Sequence, residues 1–101
     1  MHHSFLRISY AFSVLLFAFP AAAQTNVITV RFIGNCGLYM TDGSLDVYVD
    51  FPYRSGAYNY MEYPASEIDS IRANATHIFT HRHADHYSKK LVKGLSGTVY
   101  R

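Results

Sequence analysis

Between His81 and His86 the sequence reads His-Arg-His-Ala-Asp-His, placing three imidazoles and one carboxylate within six positions. All four are metal-ligand types, and imidazole with carboxylate suits zinc or another first-row transition ion. A short apolar run, Ile78-Phe79, leads into the cluster. An amphipathic segment follows. The expected setting is a strand end opening into a loop and helix, where a rigid scaffold can hold several side chains around one point. His81 and His83, two apart, project to the same side of an extended segment. Asp85 and His86 lie past the bend, at the expected start of the helix, where they can face a second ion. The alternative is a His-rich surface turn. It needs a chance clustering of ligand types in a chain with six histidines.

The rest of the chain alternates short strands with turns and two short helices. Val27 to Ile33 alternates with β-branched residues, as a strand does. Gly34-Asn35-Cys36-Gly37 is a turn, and Leu38-Tyr39-Met40 is a second strand. Asp42-Gly43 supplies the positive φ of a hairpin turn. Leu45 to Asp50 is a third strand, with Leu45, Val47 and Val49 on one face and Asp46, Tyr48 and Asp50 on the other. Ser66 to Arg72 predicts a short helix with Ser66 as N-cap and Ile68 and Ile71 on one face. His77 to Thr80 is a short strand, with His77 packed or partly exposed. Ala84 to Lys93 is the next helix, with Gly94 at its end. Thr98-Val99-Tyr100 opens a further strand. The order β-β-β-α-β-α-β predicts an α/β (α+β) mixed sheet with helices on at least one face.

Phe51 to Pro64 differs from its flanks. Five aromatic residues sit there among Pro, Gly, Ser and Asn, which marks a loop. Its tyrosines, Tyr53, Tyr58 and Tyr60 among them, either cover the core edge or line a substrate pocket.

Length and charge narrow the class. A chain of 101 residues is one small domain, and a net charge of +2 with no basic block gives no footprint for nucleic acid. Residues 1–23 read as a secretory signal peptide. Arg7 lies in the n-region, Ile8 to Phe19 form the apolar h-region, Pro20 breaks it, and Ala21-Ala22-Ala23 supply the cleavage site before Gln24. The apolar run is shorter than the roughly 20 residues that span a bilayer. The expectation is an exported protein, periplasmic or secreted, with no stable membrane anchor after cleavage. Cys36 is the single cysteine, so no intrachain disulfide forms. It reads as a small buried apolar residue. Asn74-Ala75-Thr76 matches a glycosylation acceptor, a weak pattern.

Thr80 to Tyr87, Thr-His-Arg-His-Ala-Asp-His-Tyr, resembles the metal-binding motif of the metallo-β-lactamase fold superfamily. Residues 29–50, ending in Val47-Tyr48-Val49-Asp50, look like its opening strands, and Ala75 to Thr80 looks like the strand that delivers the motif. The resemblance implies an αββα sandwich of which residues 24–101 form the N-terminal part, the remaining C-terminal half being its partner. It implies a dinuclear zinc site, with iron or manganese as alternatives. His81 and His83 would bind the first ion, and Asp85 and His86 the second. Asp50 would support the site from behind the ligands. The implied activity is attack of a metal-bound hydroxide, oriented by Asp85, on a small-molecule ester, amide, lactone, thioester or phosphodiester. The family's further His, bridging Asp and last His have no counterpart in this sequence, so the chain reads as a fragment. Two other readings are a non-catalytic metal-binding protein of the same fold and an iron-dependent redox member.

Overall fold

The computed structural model describes residues 27–101, so the expected signal peptide lies outside the described residues. The chain forms a small α+β domain built on a five-stranded mixed sheet. Its strands are β1 (Thr29–Ile33), β2 (Gly37–Thr41), β3 (Asp46–Val49), β4 (Thr76–Ile78) and β5 (Thr98–Tyr100), in spatial order β1-β2-β3-β4-β5. The first three pair as an antiparallel meander, while β3–β4 and β4–β5 are parallel. Parallel neighbours need a crossover. α1 (Ser66–Asp69) lies in the first crossover and α2 (Lys89–Val92) in the second. The predicted element order therefore holds, with one added 3-10 turn at Ala57–Asn59.

Both helices are shorter than their apolar spacing predicts. α1 is capped at Ala65 rather than Ser66, with no side-chain cap. α2 starts at Lys89, where Ser88 Oγ accepts the Leu91 N–H at 3.5 Å. Residues 84–86 form a turn instead of the first helical turn. In that turn the His86 and Tyr87 N–H groups both donate to the His83 carbonyl, at 3.0 and 2.9 Å. Asp85 and His86 therefore precede the helix, and its dipole does not act on them.

The register sets two unlike faces. Arg31, Tyr39, Tyr48, His77 and Val99 form one cross-strand row. The loop and α1 cover this face. Ile33, Tyr48, Phe51, Tyr53, Tyr63 and Ala75 make the core there, with Ile68 and Ile71 of the α1 segment packed against it. Phe51, Tyr53 and Tyr63 meet edge-on, with centroids 4.9 to 6.1 Å apart. Each such ring pair adds about 0.5–1.5 kcal/mol beyond its buried area. The opposite face carries a second row, Phe32, Leu38, Val49, Ile78 and Tyr100. It is apolar yet open: Phe32 is 78% exposed and Tyr100 58%. Along Leu45 to Asp50, which holds β3, burial runs against hydropathy, because Tyr48 and Asp50 are buried while Leu45 is exposed.

Candidate metal centre

The parallel β3–β4 pair builds the site. Two parallel strands end on the same side of a sheet, and crevices at the carboxyl ends of such strands bind ligands in open α/β sheets. Val49 is in register with Ile78, so the chain leaves β3 at Asp50 beside the exit of β4 toward Thr80. The Asp50 N–H donates to the Ile78 carbonyl at 2.8 Å. Asp50 adopts a left-handed backbone, φ 50, which Asp tolerates better than most residues. This turns its carboxylate across the end of β4.

Asp50 is 5% exposed, and four hydrogen bonds converge on it. Its Oδ1 accepts the Thr80 N–H at 2.8 Å. The Thr80 hydroxyl lies 2.8 Å from Oδ2 and 3.1 Å from Oδ1. His86 Nδ1 is 2.9 Å from Oδ2. The Thr80 hydroxyl also lies 3.0 Å from His81 Nδ1. A hydroxyl has one proton. Given to Asp50, it leaves the oxygen free to accept from His81 Nδ1–H. With Nδ1–H as the donor, each neutral imidazole then keeps an unprotonated Nε2 whose lone pair is free for a metal.

The histidine rings converge. His81 lies 4.0 Å from His86 and 4.6 Å from His83, centroid to centroid. His81 and His83 are exposed, His86 is half-buried and Asp85 is buried. Asp85 Oδ2 sits 3.5 Å from His86 Nε2, while its Oδ1 is buried with no hydrogen-bond partner among the described residues. Phe79 packs edge-on against Tyr87, 5.1 Å between centroids, and closes the base of the loop.

Among the described residues, the donor atoms of Cys36, Asp85 and His86 all fall within 4.8 Å of one another. His81 and His83 stay outside that group. Cys36 was expected as an apolar filler. It is instead half-buried, with Sγ 3.8 Å from Asp85 Oδ2 and the Asn35 side-chain amide donating to it at 2.9 Å. Burial pushes the thiol above its ordinary pKa. The Asn35 bond opposes this and the Asp85 charge adds to it. No spacing rule joins positions 36 and 85, so the contact leaves no signal in the sequence.

The three tyrosines separate. Tyr53 is 1% exposed and belongs to the core, not to a pocket wall. Its hydroxyl accepts the Asn35 N–H at 2.9 Å and donates to the Ile33 carbonyl at 3.1 Å. Gly34 must be glycine for this: its φ is +61, and an added Cβ would lie 1.8 Å from the Tyr53 hydroxyl. Tyr58 and Tyr60 are 61% and 49% exposed and remain available to a ligand. A cleft of about 550 Å³ borders the loop on its Arg82 and Ala84 side. Arg54, Arg82, Lys89 and Arg101 line it, with no acidic residue among its walls.

Comparison with known protein families, curated proteins and solved structures finds no match for the chain.

Proposed function

We propose that this chain is the N-terminal part of an exported, metal-dependent hydrolase of the metallo-β-lactamase fold. The observation that carries the reading is the Asp50–His86 contact at 2.9 Å, a buried carboxylate fixing an imidazole whose Nε2 is left for a metal. The donor set fits a divalent ion. His81 and His86 present Nε2, His83 lies beside them, and Asp85 carries a buried oxygen with no partner among the described residues. A cation compensates such an oxygen, which is otherwise costly to remove from water.

A bound zinc, iron or manganese ion supplies Lewis acidity and lowers the pKa of coordinated water. The chain's own groups do the positioning. Asp50 and Thr80 fix the two imidazoles. Asp85 holds a carboxylate beside His86 and orients the attacking water. The four cations of the neighbouring cleft favour substrates with negative charge within the ester, thioester and phosphodiester classes. Tyr58 and Tyr60 form an exposed aromatic rim for the substrate. The open apolar sheet face suits the second half of an αββα sandwich.

The test is metal content and hydrolysis by the His81→Ala, His83→Ala double variant of the full-length protein, assayed on ester, thioester and phosphodiester panels. Loss of both supports the assignment. Metal content and hydrolysis equal to those of the parent protein would overturn it.

A further inference from the structure

We propose that Cys36 is a metal ligand, completing with Asp85 and His86 a sulfur–oxygen–nitrogen site. The inference rests on the metallohydrolase reading above and adds to it a donor from the β1–β2 turn.

The distances suit coordination. Zinc–ligand bonds of roughly 2.0–2.3 Å in a tetrahedron place neighbouring donors about 3.3–3.8 Å apart. Cys36 Sγ lies 3.8 Å from Asp85 Oδ2, and His86 Nε2 lies 3.5 Å from that same oxygen. The thiol makes a weak S–H···O contact and the imidazole lies beyond good hydrogen-bond range, and both separations match edges of a coordination tetrahedron. Asp85 gives an independent sign. The residue is 8% exposed, and its Oδ1 finds no hydrogen-bond partner among the described residues. The carboxylate thus meets the thiol and the imidazole through Oδ2, while its other oxygen, Oδ1, is buried and unpartnered among the described residues, a cost that a cation on the carboxylate offsets.

The donors are also held in place from behind. Asp50 fixes His86 through Nδ1. The core fixes Cys36, since Tyr53 grips the backbone of its turn at Asn35 N–H and Ile33 carbonyl. The Asn35 amide, 2.9 Å from Sγ, is placed to donate to a thiolate. On binding, the S–H bond breaks, a sulfur–metal bond forms and the proton passes to solvent. A sulfur donor selects zinc or cobalt over magnesium and manganese, which prefer oxygen.

Cobalt(II) titration of the full-length protein under reducing conditions tests this. The expected result is an intense near-ultraviolet thiolate-to-cobalt band that saturates with bound metal. Cys36→Ser should lose that band and retain the weaker visible bands of cobalt held by the remaining ligands. Visible bands without the thiolate band in the parent chain would overturn the role of Cys36 and leave the metallohydrolase reading intact. A folded chain that binds neither cobalt nor zinc would overturn both. Should Cys36→Ser not fold, alkylation of the parent thiol decides the matter. Zinc should protect Cys36, and alkylation at an unchanged rate with zinc bound would overturn the proposal.

Discussion

Asp50 Oδ2 lies 2.9 Å from His86 Nδ1, although 36 positions separate the two residues. The same carboxylate accepts the Thr80 N–H and hydroxyl. One buried group therefore sets both the start of the ligand loop and the orientation of its last imidazole.

Replacing Asp50 by Ala should lower zinc affinity about 10- to 100-fold, the usual effect of removing a carboxylate behind a ligating imidazole. Competition with a chromophoric chelator measures it. Asp50→Asn should fall between parent and Ala, because an amide keeps one acceptor for Thr80 but no charge for His86. Equal affinity in all three proteins would remove Asp50 from the site.

Tyr53→Phe should destabilise the fold by about 1–3 kcal/mol, as it strands the Asn35 N–H and leaves the Ile33 carbonyl without its donor. Urea unfolding reads this directly. A pocket-wall role would instead leave the midpoint unchanged.

His77 makes stability pH-dependent. It is fully buried against Tyr48, ring stacked on ring at 5.3 Å, and burial lowers its pKa, while backbone contacts at Phe51 and Ser96 work the other way. With the folded pKa below the unfolded one, the unfolded chain binds the extra proton. His77 is neutral in both states above its unfolded pKa of about 6.5, so stability is full there. It declines as pH falls from that value toward the folded pKa. The urea midpoint should drop over this window, and His77→Phe should flatten the drop.

The open sheet face predicts dye binding. Phe32 projects from a five-residue apolar row and is 78% exposed. Exposed apolar areas of this kind bind hydrophobic dyes and promote association. Phe32→Glu should lower dye fluorescence and self-association, with little change in the unfolding midpoint. An unchanged signal would mean the face is covered in solution.

Much of the architecture was legible in the alternation of Val27 to Ile33 and the Asp42-Gly43 turn, because strand period and turn chemistry are local. The helix ends were not. Ala84 to His86 has helical spacing, yet the paired bonds to the His83 carbonyl close a turn instead. Tyr53 was equally opaque: a tyrosine in a polar loop reads as accessible until Gly34 and Asn35 fold over its hydroxyl. Asp50 was marked only by the resemblance, since on its own it reads as a strand-end turn residue, and the structure places it against His86. Cys36 lies 49 positions from Asp85, and only sheet pairing brings them together.

The parallel pairing of β3 with β4 has a consequence for folding. The peptide His81–His86 carries four of the proposed ligands but lacks the backing carboxylate and the thiol. Those arrive only when a distant strand docks beside β4, after a long loop has closed. Metal affinity should therefore rise late in folding and track completion of this strand pair. A zinc-sensitive signal would serve as a clock for the slowest contact in the sheet.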